Sequence, residues 1–148
     1  MGELEEELST LAFEAFGISL TLDRVNTEVR LRVGQVVGIP VPPISHPTLA
    51  YADAVASLAA LENQGDGIKS FLGLALTVLS TNVDLICVDE PEAFLHPAQA
   101  RTLGRWLSRQ ATLRNIQILV ATHDRDFVLG LLETIPRISG HNRQGESL

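Results

Sequence analysis

Two short apolar runs in this sequence end abruptly in side chains that can do chemistry. Val83 to Val88, closing on four apolar residues, is followed by Asp89-Glu90, and Ile116 to Ala121 is followed by Thr122-His123-Asp124. Each run reads as a buried parallel strand, and ligands of open α/β sheets sit beyond the carboxyl ends of such strands. An aspartate at a strand end can anchor Mg²⁺, usually through water, and the next carboxylate can orient or deprotonate an attacking water. Gln64-Gly65-Asp66-Gly67-Ile68-Lys69-Ser70-Phe71 adds a glycine-bearing turn that opens directly into a helix. Free N–H groups and the helix dipole at such a point make a phosphate site. Taken singly, each feature has a plain explanation: a strand ending in two solvated acids, or a helix start that needs flexible backbone. Their order along the chain (glycine turn, Asp-Glu strand, histidine strand) is what joins them.

The elements that must position these groups follow from hydrophobic spacing. Leu4, Leu8, Leu11, Ala12 and Ala15 recur at helical intervals and predict an amphipathic helix ending near Gly17. Ile18, Leu20 and Leu22, then Val29, Leu31 and Val33, alternate with polar residues around Asp23 to Asn26, the pattern of a hairpin with one buried face. Residues 34–47 hold four of the seven prolines and read as an extended connector. A helix is expected from about Pro47 to Leu61, with Leu49, Ala52, Val55, Ala56 and Ala59 on one side. Glu62 to Gly67 reads as a polar break. From Ile68 to Ser80 the pattern is apolar nearly all round, which predicts a helix packed on more than one side. Helices are also expected from Pro97 to about Ala111 and from Asp126 to Leu132, with a polar tail from Gly140. Helices alternating with strands in the second half argue for a parallel sheet with helical crossovers.

Composition narrows the class. The chain has 148 residues, 45% hydrophobic and 20% charged, enough for one domain with a real core and far from a disordered composition. Its net charge is -7, and Lys69 is the sole lysine among 11 basic residues. An acidic chain is not built to coat nucleic acid non-specifically. The stretch from Phe71 to Leu79 is too short to cross a bilayer, and the acidic N-terminus has the wrong sign for a targeting peptide. The single cysteine, Cys87, excludes an internal disulfide framework, suits a reducing compartment and reads as a small core residue. The expectation is a single α/β unit in the cytoplasm.

These motifs together resemble the C-terminal half of an ATP-binding-cassette-type P-loop ATPase, of the SMC, RecF and overcoming-lysogenization-defect kind often labelled AAA ATPase. Gly65-Asp66-Gly67-Ile68-Lys69-Ser70 sits where that family has its signature loop. Leu85 to Pro91 matches the Walker B strand, and Glu92-Ala93-Phe94-Leu95-His96-Pro97 matches the continuation Glu-x-x-Leu-His-Pro. Ala121-Thr122-His123-Asp124 matches the switch-histidine segment. The resemblance covers about residues 62–133. It implies a partial P-loop NTPase fold, with a helix and hairpin ahead of it: residues 1–45 as helix, hairpin and connector, and 46–148 as the C-terminal lobe. It also implies roles. Asp89 would hold Mg²⁺, Glu90 would act on the attacking water, and His123 would bond the γ-phosphate or that water. Gly65, Asp66 and Gly67, with Lys69 and Ser70, would meet the γ-phosphate of an ATP held by another subunit, since in this family two subunits sandwich two ATP molecules.

Two departures bear on function. Gly65 stands where the signature usually has serine. More seriously, no G-x-x-x-x-G-K-S/T occurs in the sequence, so the loop that cradles the α- and β-phosphates is absent. The expectation is an ATP-hydrolysing module inactive without a phosphate-loop half, supplied by a split-subunit partner or met in a homodimer. Two other classes remain open. A non-catalytic interaction module would keep the dimer surface and hydrolyse nothing. A metal-dependent phosphohydrolase would draw ligands from Asp89, Glu92, His96, His123, Asp124 and Asp126. Arg101, Arg105 and Arg109, spaced by four on one helix face, read as a solvated stripe or a contact to DNA phosphates. Leu103, Trp106 and Leu107 on the same helix read as packing. His96 reads as a cap or a residue lining a dimer cleft.

Overall fold

A computed structural model of the chain describes residues 2–24, 30–43 and 45–135. The expected turn around Val25 and Asn26, the strand position Val29 and the polar tail lie outside the described residues.

Helix α1, Glu3–Phe16, buries Leu8, Leu11 and Ala12 and stops where Gly17 turns left-handed, φ 67°, with its N–H on the Phe13 carbonyl. Strands β1, Leu20–Asp23, and β2, Arg30–Val33, form the expected antiparallel hairpin, with Leu22 opposite Leu31 and Leu20 opposite Val33. The helix predicted for residues 47–61 is shorter. Here α2 covers Leu49–Ser57, and only Val55 is buried; Leu49 is 84% exposed. The chain then turns into β3, Ala59–Ala60, which pairs antiparallel with the edge of β2. Arg32 of β2 also donates to the Leu58 carbonyl. Unpaired strand-edge groups therefore override the helical propensity of an alanine-rich segment.

After a 3₁₀ turn at Leu61–Asn63, helix α3 spans Asp66–Ser80. It buries one face only, Phe71, Leu72, Ala75, Val78 and Leu79, while Lys69, Gly73, Leu76 and Thr77 face solvent. The expectation of packing on more than one side is thus corrected: an apolar composition all round did not bring a second covering layer. Strand β4, Leu85–Asp89, leads through α4, Pro97–Arg114, to β5, Gln117–Ala121. The two strands pair in parallel from Leu85 opposite Gln117 to Asp89 opposite Ala121. Helix α5, Arg125–Glu133, returns against α4.

That last crossing is backbone on backbone. A Cβ on Gly104 would lie 2.3 Å from the Phe127 carbonyl oxygen, and one on Gly130 would lie 2.1 Å from that of Arg101. Only glycine at both positions permits the approach. Leu8, Phe71, Leu72, Leu103 and Phe127, all without exposed surface, join α1, α3, α4 and α5 in one core. Leu103, Trp106 and Leu107 pack as expected. The sheet is different: Ile86, Ile118 and Val120 pack on the helical core and Val88 is half-buried on the same face, but Leu85, Cys87, Leu119 and Ala121 are exposed on a face that none of the described residues covers. Cys87 is exposed, not a core residue. An apolar run in sequence does not reveal which of its two faces is bare. No helix among the described residues is long and apolar enough to cross a membrane.

Candidate functional site

The parallel register brings the ends of β4 and β5 to one edge, and just past the ladder the Glu90 N–H donates to the Ala121 carbonyl at 2.8 Å. To make it, Glu90 takes a left-handed backbone, φ 44°, uncommon for a residue with a Cβ. Its carboxylate then meets His123, Oε1 lying 3.1 Å from Nδ1. Both side chains are open to solvent, Glu90 at 56% and His123 at 82%. Asp89 ends the strand and is also exposed. The three residues expected from the sequence to share a site therefore do share an edge. A carboxylate held against an imidazole is an acid–base pair able to orient water and pass a proton.

The loop after Glu90 makes two tight turns, with Ala93 N–H on the Glu90 carbonyl and Leu95 N–H on the Glu92 carbonyl. Phe94 is again left-handed, φ 66°, and its ring is exposed. These turns bury Pro91 and Glu92. Glu92 Oε1 accepts from the Thr122 hydroxyl at 2.5 Å; that hydroxyl in turn accepts the Asp124 N–H at 3.1 Å. Asp124 caps α5 through the Phe127 N–H at 2.7 Å. Glu92 and Thr122 carry structural weight that the sequence did not signal, because nothing in Pro-Glu-Ala-Phe distinguishes a buried glutamate from a solvated one.

The glycine turn comes out differently from the strand ends. Gly65 is the N-cap of α3, and Gly67 lies in the helix's first turn. A Cβ on Gly67 would sit 2.5 Å from the Phe94 carbonyl oxygen, so this glycine is required for α3 to meet the loop after Glu90. Asp66 and Lys69 pair with one another at 2.9 Å on the exposed surface, and Ser70 is exposed beside them. No hydrogen bond or ion pair among the described residues joins Gly65 through Ser70 to Glu90 or His123.

The remaining candidates are spent elsewhere. His96 opens α4, its N–H donating to the Gln99 side chain at 3.0 Å. Asp124 caps α5 and Glu92 is bound to Thr122, and no group of three or more metal-binding side chains forms among the described residues. The arginine stripe is largely neutralised: Arg101 and Arg105 both reach Glu133, and Arg105 also pairs with Glu14. Hydrogen bonding from Arg101, more than from Arg105, holds the Glu133 carboxyl below its ordinary range despite its opposing desolvation. For Arg105, burial works the other way, yet bonds from Glu14 and Glu133 leave its pKa raised. A cleft of about 510 Å³ lies away from the strand ends, between β1 and the proline-rich connector, lined by Leu20, Leu22, Val36, Val41, Pro42 and Tyr51.

Three comparisons bear on this geometry. The model of a family described as "AAA domain, putative AbiEii toxin, Type IV TA system" matches residues 52–130. An uncharacterised protein of Methanocaldococcus jannaschii is 30% identical over 90 residues, 57% of this chain and 79% of that protein. Among solved structures, one is a chain from work on ATP-driven dimerization and DNA stimulated activation of SMC ATPases, with TM-score 0.56 and 13% identity over 86% of this chain and 71% of that one. Another is the Smc head domain with an extended coiled coil, bound to the C-terminal domain of ScpA, derived from Pyrococcus furiosus: TM-score 0.55, 13% identity, 86% of this chain and 29% of that one. At such identity the structural likeness shows the fold, that of an SMC-type P-loop ATPase.

Proposed function

This chain belongs to the AAA-domain family of the putative AbiEii toxin, Type IV TA system, and from that premise we propose that it is the catalytic-edge portion of an ATP-hydrolysing module. The observation that carries the reading is the contact between Glu90 and His123 at 3.1 Å, at the edge where Asp89 ends its strand. Residues 46–148 act as the C-terminal lobe and residues 1–45 as an accessory segment whose Leu8, Leu11 and Ala12 join the same core. The free Cys87 accords with a cytoplasmic setting.

The residues present fit Mg²⁺–ATP in part. Asp89 and Glu90 are hard oxygen donors on an open edge, and no group of three or more side chains builds a closed metal cage there among the described residues. That suits a cation which keeps waters and takes further ligands from phosphate. Mg²⁺ would supply charge neutralisation at the phosphates, with Asp89 as its holder. Glu90 would orient the attacking water and draw off its proton, and His123, held against Glu90, would bond the γ-phosphate or that water. Gly65, Asp66, Lys69 and Ser70 are exposed at the start of α3, with Gly67 half-buried beside them against the Phe94 carbonyl, and this turn would contact a nucleotide held by another subunit. What this chain does not carry is the phosphate loop and its lysine, the main source of nucleotide affinity. Alone it binds ATP weakly and is inactive; with a phosphate-loop half, in a dimer or a split assembly, it hydrolyses. The arginine stripe is not used for DNA in this reading, since two of its members serve α4, α5 and α1.

The test is a titration of the chain with ATP, with and without Mg²⁺, then with a phosphate-loop half supplied. The expected outcome is affinity no tighter than about millimolar alone, because the phosphate cradle is missing. In the completed assembly Glu90→Gln should retain ATP and lower turnover at least about a hundredfold. Parental turnover in Glu90→Gln would remove Glu90 from the catalytic role. Failure to bind nucleotide in any combination would favour a non-catalytic interaction module.

A further inference from the structure

Glu92 breaks an elementary rule. It is 8% exposed, and its Oε2 is buried with no hydrogen-bond partner among the described residues, although a carboxyl group is among the costlier groups to bury half-satisfied. The loop holding it is bent at both ends by left-handed, non-glycine residues, Glu90 and Phe94. Local rules broken together in one short loop beside a site point to a task rather than to packing. Among the described residues the Glu92 carboxylate has one partner, the Thr122 hydroxyl. By accepting that hydroxyl's proton, the carboxylate fixes the rotor so that its lone pair faces the Asp124 N–H, 3.1 Å away. Asp124 in turn holds the first turn of α5. His123 lies between Thr122 and Asp124 with its side chain 82% exposed, and among the described residues it is held beyond the backbone by the Glu90 contact alone.

We infer that Glu92 is a positioning residue. Through Thr122 it clamps the loop 122–124 to the end of β4 and thereby keeps His123 against Glu90. The clamp crosses between the two segments that carry the acid–base pair, parallel to the Glu90–Ala121 backbone bond. This rests on the proposed function only for its catalytic consequence; the geometry of the clamp can be read in the chain by itself.

The experiment is amide hydrogen exchange and NMR on the full chain. Glu92→Ala should speed exchange of the Asp124 and Phe127 amides on the order of fivefold to tenfold, the weight of one lost hydrogen bond. It should also weaken the His123–Glu90 nuclear Overhauser contact, while the amides of Ile86 and Val120 stay protected. Glu92→Gln, which keeps an acceptor oxygen, and Thr122→Ser, which keeps the hydroxyl, should both resemble the parent. Thr122→Val, of similar volume without the hydroxyl, should copy Glu92→Ala and decides the matter if Glu92→Ala does not fold. A uniform loss of protection across β4, β5 and α4 would show a merely structural role and overturn the proposal. So would unchanged Asp124 exchange in Thr122→Val. In the completed assembly Glu92→Ala should lower kcat with ATP affinity kept. If the parental assembly does not turn over ATP, the proposed function fails, whereas the exchange pattern still decides for or against the clamp.

Discussion

The helical layer and the outer side of the β4–β5 sheet obey opposite rules. Leu8, Phe71, Leu72, Leu103 and Phe127 have no exposed surface, and four helices close on them. On the sheet, Leu85 is 48% and Leu119 59% exposed, although parallel strands are normally covered on both faces. The chain draws its cohesion from one side of the sheet and places Asp89, Glu90 and His123 at the rim of the other. Stability and the proposed chemistry therefore fall to separate residues, and substitutions should separate them too.

The largest effect should come from the interior. Phe71 touches Phe16 edge-on, ring centres 5.0 Å apart, and fills the centre of the helical core. Phe71→Ala should cost about 3–5 kcal/mol, read from urea unfolding, while the His123–Glu90 contact persists at low urea. Loss of that contact before unfolding would mean the two regions are not separable. The next largest effect belongs to the glycine crossing. Gly104→Ala or Gly130→Ala should cost about 1–3 kcal/mol or more, because the methyl meets backbone that belongs to a neighbouring helix. Near-neutral variants would show that α4 and α5 can part without harm.

Much of this division could be read from the amino acids, and the parts that could not share a cause. Helices α1, α3 and α4 follow from apolar spacing, and the two strand ends follow from apolar runs that stop at Asp89-Glu90 and Thr122-His123. Because parallel strands present their carboxyl ends on one edge, it also followed that Glu90 and His123 share that edge, though not that their side chains touch. What escaped was everything decided by a neighbour far along the chain. Ala59 and Ala60 leave a helical segment because β2 has an open edge. Gly67 reads as a phosphate cradle but is demanded by the Phe94 carbonyl. Glu92 is buried because the turns at Glu90 and Phe94 fold over it, and Cys87 is bare because none of the described residues lies on that side. Periodicity reports that a residue has an apolar side, not whether anything packs there.

A smaller effect separates surface charge from core. Glu133, bonded by Arg101 and Arg105, is lowered from its ordinary value of 4.5. A carboxylate depressed in the folded chain adds stability that is fully present above its unfolded pKa and is lost as pH falls through the folded one. Parent and Glu133→Gln should therefore differ in urea midpoint at pH 7 and converge in acid, below the ordinary carboxylate range. An equal gap at both ends would mean the pair contributes through packing and not through charge.

The smallest expected effect is the sharpest test of the contrast, because it asks for nothing to happen. Leu119 lies at the middle of β5 with its side chain on the bare face. Leu119→Thr keeps a strand-favouring, branched side chain and removes the apolar surface. On a face that water already reaches, the change should stay within about 0.5 kcal/mol of the parent. Truncating a covered leucine, Leu103→Ala, should cost about 2–5 kcal/mol. The two variants belong in one unfolding series at low and high protein concentration. A Leu119 penalty approaching that of Leu103, growing with concentration, would mean that the face is covered by another copy of the chain in solution. The sheet would then be a second interior rather than an open rim, and the separation between cohesion and chemistry would hold only for the isolated chain.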